Sequence, residues 1–374
     1  MLDFSSALYL GMRHASRSLL PWQQLTTGAP AALAVPPGAR TVSAALAELI
    51  GCETATLTPS TLHLVWDLFV ILATEQPIII YMDAEVYPIT RWGVERAACG
   101  GVPIRAFPHH EARTLRRQLR ASEFSSCRPV VVTDGFCPGC GRFPPLADYL
   151  AAVRAYGGLL ILDDTQALGI FGHHPDSDSP YGRGGGGSLR WHQVAGPDLL
   201  AFSSLAKGFG VPVAVLAGSD RLVRRFENHS ETRVHCSPPS VGVVRATEQA
   251  LTINRESGDT LRLRLAGLVR YFRYRVSETG HSVSGGLFPV QTLAPVPGLN
   301  GSVLHERLRR REVRSVLHRV QGGQVRVSFL ITARHTRTEI DYAVEALSSA
   351  APISHISTAS ANGSESCNPH HVLK

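Results

Sequence analysis

Only two lysines, Lys207 and Lys374, occur among the 374 residues, against 35 arginines (37 Lys+Arg minus those two). Arginine stays protonated to above about pH 12 and cannot offer a free amine to a carbonyl. Chemistry that needs a primary amine must therefore keep its lysine, and Lys207 is the one expected inside the folded part. It stands in Ser203-Ser204-Leu205-Ala206-Lys207-Gly208-Phe209-Gly210. The second reactive feature is an acid. Gly158-Leu159-Leu160-Ile161-Leu162 reads as a buried strand that runs directly into Asp163-Asp164. A carboxylate at the end of a central strand is costly to bury unless it is paired, and the carboxyl end of a parallel sheet is where ligands bind. Another apolar run, residues 199–202, delivers Ser203, Ser204 and Lys207 to the same edge.

An ionised aspartate facing a reactive lysine suggests pyridoxal 5'-phosphate (PLP). Its aldehyde forms an imine with the amine, and the carboxylate keeps the pyridine nitrogen protonated so that the ring can accept electrons. Ser203 and Ser204 would offer hydroxyls to the phosphate. Ser60-Thr61, just before an apolar helix at 62–72, would add a helix N-terminus, which attracts anions. The plain alternative is an Asp163–Lys207 salt bridge with serines acting only as caps. It is disfavoured because buried ion pairs rarely gain stability over apolar replacements.

Positioning these groups requires a sheet. Val/Ile/Leu-rich runs at 78–81, 129–133, 159–162, 199–202 and 211–216 alternate with helical stretches such as 111–121 and 146–156, the pattern of a mostly parallel sheet covered on both faces. Further on, the spacing predicts a long helix from 240 to 278, strands near 288–293 and 324–329, and a last helix at 338–347. The expected organisation is an N-terminal arm (1–40), a large α/β domain (41–240), a linking helix with a small C-terminal α+β domain (241–350), and a polar disordered tail (351–374). The glycine-rich stretch 182–188 reads as a flexible loop that matches no phosphate-binding motif.

Composition removes other classes. No apolar run approaches the ~20 residues of a membrane span, and the first residues lack a secretory signal, so a cytoplasmic protein is expected. The net charge of +7 has its main cluster at Arg307, Arg309, Arg310, Arg311 and Arg314. No aromatic residues interleave with them, so they read as a solvated helix face and no nucleic-acid partner is expected. Seven cysteines, an odd and scattered set, do not form a disulfide framework. Cys137-Pro138-Gly139-Cys140 has redox or zinc-knuckle spacing, but no second Cys or His pair follows at finger distance, so no metal is expected.

Asp163-Asp164-Thr165-Gln166-Ala167-Leu168-Gly169-Ile170-Phe171-Gly172, followed by Ser204-Leu205-Ala206-Lys207-Gly208-Phe209-Gly210, resembles the fold-type-I PLP enzymes, and among them the α-oxoamine synthases. Leu2-Asp3-Phe4-Ser5-Ser6 with Tyr9-Leu10-Gly11, Val132-Thr133-Asp134-Gly135, and the stretch 326–341 extend the similarity over most of the chain. The resemblance implies an α/β fold of the fold-type-I PLP transferases: a large domain with a mostly parallel seven-stranded sheet, plus a smaller C-terminal α+β domain. It implies Lys207 as the imine-forming lysine and Asp163 as partner of the pyridine nitrogen. Ser60, Thr61 and Ser204 fall at phosphate positions, and Ser237 would reach a phosphate across a homodimer interface.

Three departures stand out. Gln166 occupies the place of a family histidine near the cofactor's phenolic oxygen; it can donate a hydrogen bond but cannot titrate near neutrality. Tyr87 lies near the family's ring-stacking histidine. Ser328 falls where the family has an arginine that grips the substrate carboxylate, with Arg326 two residues earlier on the same strand face. The activity implied is decarboxylative condensation of an amino acid with an acyl thioester of CoA or a carrier protein, in secondary metabolism. An aminotransferase, an aldol- or Mannich-type carbon–carbon enzyme, and a non-catalytic partner subunit are the alternatives.

Overall fold

The computed structural model describes residues 1–124, 126–319 and 323–351. The tail expected from 351 onward, Lys374 included, falls outside them from residue 352. The chain opens with a short strand β1 (Leu2–Asp3) and continues through α1 (Ala39–Ile50), β2 (Thr54–Thr58), α2 (Thr61–Glu75), β3 (Ile78–Asp83), α3 (Pro88–Cys99), β4 (Ile104–Phe107), α4 (Ala112–Arg120) and β5 (Arg128–Asp134). Next come α5 (Leu146–Arg154), β6 (Leu159–Asp163), α6 (Ser188–His192), β7 (Leu199–Ser204), β8 (Ala214–Gly218), α7 (Asp220–His229), α8 (Glu231–His235) and α9 (Val241–Glu278). The last third holds β9 (Val283–Ser284), β10 (Val290–Leu293), α10 (Gly301–Arg310), β11 (Val313–Arg314), β12 (Val316–Arg319), β13 (Val325–Leu330) and α11 (Arg337–Ala350).

Seven strands form the central sheet in the order β2-β8-β7-β6-β5-β3-β4. The pairs from β7 to β4 are parallel, and only β8 runs against its neighbours. The apolar runs explain why. In β6, Leu160 and Leu162 enter one hydrophobic core while Leu159 and Ile161 enter the other, so this central strand is buried on both faces. Each such side chain contributes roughly 1.5–3 kcal/mol, which drives helices onto both sides. Strands β2 and β4 escape sequence reading because Thr54, Thr56 and Thr58, and Arg105 in β4, interrupt their apolar character.

Strands β9, β10, β12 and β13 make a separate four-stranded antiparallel sheet, order β12-β13-β10-β9. The first residues run back to it. Here β1 pairs in parallel with β11, Leu330 N–H donates to the Phe4 carbonyl (2.8 Å), and Ala333 N–H to that of Tyr9 (2.8 Å). Phe4 stacks on His335 at 4.3 Å. The arm then reaches the large sheet, where His14 Nε2 bonds the Phe209 carbonyl at 2.8 Å. Among the described residues no helix is long and apolar enough to cross a membrane. The arginine-rich helix is α10, where Arg309 and Arg310 pair with Glu306.

The glycine-rich stretch is not a free loop, a correction to the sequence reading. Gly169 N–H donates to the Gly185 carbonyl and Gly187 N–H to that of Phe171. Asp259 and Asn254 of α9 bond Gly184 from the other side. Four glycines here have positive φ, 69–85°, and a Cβ at Gly182 or Gly185 would strike neighbouring groups. The run provides tight packing, which composition alone reads as flexibility.

Candidate functional site

Strands β5, β6 and β7 end side by side, and their last residues bring the reactive groups together. Asp134 and Asp163 are register partners on β5 and β6, and both face Lys207 beyond the end of β7. Asp163 is buried; its Oδ1 accepts from Thr165 N–H (3.0 Å) and its Oδ2 from the Thr90 hydroxyl (3.1 Å). Burial raises the pKa of Asp163, opposed by its bonds to Thr165 and Thr90 and by the charge of Lys207. Asp134 is pushed well above the carboxylate range, first by burial and then by Asp163. Burial lowers the pKa of Lys207, and the two carboxylates pull the other way. Two acids and one amine thus share a poorly solvated space that favours their neutral forms.

Local folding places the amine. Leu205 N–H donates to the Val213 carbonyl, Phe209 N–H donates back to Leu205, and the Ser204 hydroxyl accepts from Ala206 N–H (3.3 Å). Gly208 lets this turn lie directly on the loop after Asp163: a Cβ there would come within 2.5 Å of the Leu168 carbonyl. Thr165 completes the junction by accepting from Ser204 N–H at 3.0 Å. Asp164, the neighbouring acid, faces elsewhere. It takes the Ser188 N–H and hydroxyl, and burial pushes its pKa up to about 7. A Cβ at Gly135 or Gly187 would collide with it, so Asp164 joins the loops under the site.

Tyr87 follows β3 and stands half-exposed, with its ring centroid 5.5 Å from Lys207 Nζ and its N–H bonded to Asp134 Oδ1 (3.2 Å). Gln166 receives the Tyr9 hydroxyl on Oε1 at 2.9 Å, which leaves its amide N–H₂ as the free end. Burial, with Tyr87 second, raises the pKa of Tyr9. Ser60 caps α2 by accepting from His63 N–H, and its hydroxyl also meets His63 Nδ1 at 2.8 Å. Thr58 and Ser204 share the partner Ala214 across the sheet, so the N-terminus of α2 follows β2 at the same sheet edge as the end of β7, with β8 between the two strands. Ser203 is buried within β7.

The other expected residues lie apart. Ser237 is exposed between α8 and α9. Ser328 is buried in β13, bonded to the Thr292 hydroxyl (2.7 Å) and to His318 (3.4 Å), while Arg326 donates to Gln324 (3.1 Å). No hydrogen bond joins either to the Lys207 cluster among the described residues. Sequence reasoning missed Asp134, Thr90, Thr165, Tyr9 and His63 as parts of the site. Asp134 carried the same signal as Asp163, an apolar strand ending in an acid; Thr90 carried none.

The chemistry available is that of a weakly basic amine beside buried acids, a flat aromatic wall, and a helix N-terminus rimmed by hydroxyls. No family model matches the chain. Curated relatives do: 8-amino-7-oxononanoate synthase of Alcanivorax borkumensis is 28% identical over 250 residues, 66% of this chain and 61% of that protein. The same-named protein of Methylococcus capsulatus is 29% identical over 67% of this chain and 63% of its own length. The chain therefore spans less than two thirds of these relatives. Among solved structures, SPT with PLP matches with a TM-score of 0.79 and 15% identity, covering 93% of this chain and 86% of the other. The 8-amino-7-oxononanoate synthase of Francisella tularensis gives 0.70 and 17%, covering 93% and 97%. The chain has the fold-type-I architecture of these proteins, and it resembles the α-oxoamine synthases in both sequence and fold.

Proposed function

We propose that the chain is a PLP-dependent transferase that condenses an amino acid with an acyl thioester and releases CO₂. The observation that carries this reading is the convergence of its one described lysine with buried Asp163 and the N-terminus of α2. The residues fit the group: an amine, an acid with lone pairs to spare, and an anion-attracting helix end stand on one sheet edge. When bound, PLP supplies an aldehyde that condenses with amines and a ring that takes up electrons from a bond broken at the substrate's α-carbon.

The chain's own groups then have separable tasks. Lys207, whose charged form burial disfavours, would bond the aldehyde and later move a proton at the α-carbon. Asp163, oriented by Thr90 and Thr165, would hold the ring nitrogen's proton. Ser60, Thr61 and Ser204 bind phosphate at the helix end. Tyr87 would cover one ring face, and Gln166, fixed by Tyr9, would donate toward the phenolic oxygen. In a homodimer, exposed Ser237 reaches the phosphate of the partner's site. Arg326 and Ser328, which make no hydrogen bond to the Lys207 cluster among the described residues, would meet the substrate away from it, and Ser328 brings no charge for a carboxylate; the donor's carboxylate would then be held elsewhere or masked as an ester, amide or thioester. The reading includes a cytoplasmic location and an acyl donor carried on CoA or a carrier protein.

Incubation with PLP followed by borohydride should fix a pyridoxyl group on Lys207 alone, as read by peptide mass spectrometry. A colourless protein with no such label overturns the reading. Supplying single amino acids with an acyl thioester and measuring CO₂ then separates condensation from transamination.

A further inference from the structure

The loops following β4 and β5 carry a donor cluster that the proposed reaction does not use. His109 and His110 follow β4, Cys137 and Cys140 follow β5, and Asp83 ends β3, the strand between those two. His109 Nε2 lies 3.4 Å from Cys140 Sγ. At a tetrahedral zinc with Zn–N of about 2.05 Å and Zn–S of about 2.3 Å, nitrogen and sulfur sit about 3.6 Å apart. Donor atoms of His109, His110 and Cys140 all lie within 4.8 Å of one another. Cys137 Sγ accepts from Cys140 N–H at 3.5 Å, in a tight loop closed by Gly141 N–H to the Cys137 carbonyl. Cys137 itself lies outside the set of donors within 4.8 Å of one another, so its sulfur would have to turn in to complete a fourfold site.

The surroundings match a ligand set more closely than a redox pair. Asp83 is buried and accepts from His109 Nδ1 at 2.8 Å and from His110 N–H at 3.1 Å. A carboxylate on one imidazole nitrogen fixes the tautomer and turns the other nitrogen toward a metal. The two rings stack at 3.6 Å, and His110 Nε2 is buried with no partner among the described residues. A disulfide would need neither imidazole. In sequence the pair is hidden because it precedes the Cys-x-x-Cys by 27 residues (Cys137 minus His110) instead of following it.

We propose that His109, His110 and Cys140 bind one zinc-class divalent ion, with Cys137 turning in as the fourth donor and Asp83 orienting His109. Four protein donors make a closed, structural site. It clamps the ends of three strands beside Asp134 and Tyr87, and it does not depend on the cofactor reading.

The test uses the full chain, reduced and stripped of metal, titrated with Co²⁺. One equivalent should bind with tetrahedral d–d bands and a thiolate charge-transfer band, and Zn²⁺ should displace it. Cys140→Ser and His109→Ala should each remove the charge-transfer band or weaken binding more than about tenfold. Asp83→Asn should weaken it by about 10–100-fold with the band retained, and Cys236→Ser should bind as wild type. If Cys140→Ser does not fold, Cys137→Ser and His110→Asn give the same readout. The proposal is overturned if fully reduced chain takes up no tetrahedral Co²⁺, or if these ligand variants bind as wild type. It is equally overturned if Cys137 and Cys140 are recovered as a disulfide that reforms in the presence of excess Zn²⁺.

Discussion

The sheet edge holding Lys207 and the face of β13 holding Ser328 treat polarity in opposite ways. At the first, three ionisable groups are crowded into a buried space and held by Thr90, Thr165 and Gly208, a stability cost that makes sense only when a ligand uses it. At the second, a small hydroxyl is satisfied by Thr292 and His318, and among the described residues it makes no bond to an acid. The difference separates two questions. The Lys207 edge carries buried ionisable groups, while at β13 the Ser328 hydroxyl is spent on Thr292 and His318.

The sharpest way to break that contrast is to remove the amine. Lys207→Ala should eliminate borohydride labelling and lower turnover by about 10²–10⁴-fold; turnover within tenfold of wild type would take Lys207 out of the chemistry. On the other side, Ser328→Arg should destabilise the fold by about 3–5 kcal/mol in denaturant titration, because it buries a cation with no partner. A variant that stays as stable as wild type and binds free amino acids more tightly would reopen the β13 face as a carboxylate site.

Buried Asp164 tests how rigidly the cofactor edge is underpinned. Its folded pKa of about 7 lies above its ordinary 3.8, so the folded state binds the proton more tightly. The contribution is complete below about pH 4 and is lost as pH rises to 7. In unfolding titrations the difference in stability between wild type and Asp164→Asn should therefore change across that window, by a few kcal/mol at about 1.4 kcal/mol per unit. A constant difference from pH 4 to 7 removes the titration. Gly208→Ala, which forces a Cβ onto the Leu168 carbonyl, should cost about 1–3 kcal/mol and weaken PLP retention; unchanged retention would show that the turn has room to shift. Smallest of all, Tyr9→Phe should cost about 0.5–1.5 kcal/mol and leave labelling of Lys207 intact.

Much of the fold was legible because the strands β3, β5, β6 and β7 are continuous apolar runs, and burial on both faces leaves little alternative. The Lys207 and Asp163 pair was legible for a related reason: polar residues at the ends of such runs need an explanation. Thr90 and Tyr9 were not, since each acts through a contact made only when distant segments meet. The histidine pair beside Cys140 was hidden in the same way, because β3 lies between the two loops in space but precedes both in sequence. The glycine run misled because the same residue type serves loose chain and close packing, and the bonds to Gly169, Phe171, Asn254 and Asp259 tell them apart.

The pairing of β1 with β11 sets an order of events during synthesis. Leu2 and Asp3 are made long before their strand partners Val313 and Arg314. Until then, the segment that carries Tyr9 toward Gln166 has no anchor at its start. On a growing chain the large sheet can assemble from residues already made, but the Tyr9–Gln166 contact waits for the C-terminal third. A nascent protein would thus acquire its amine and its acids well before its site is closed.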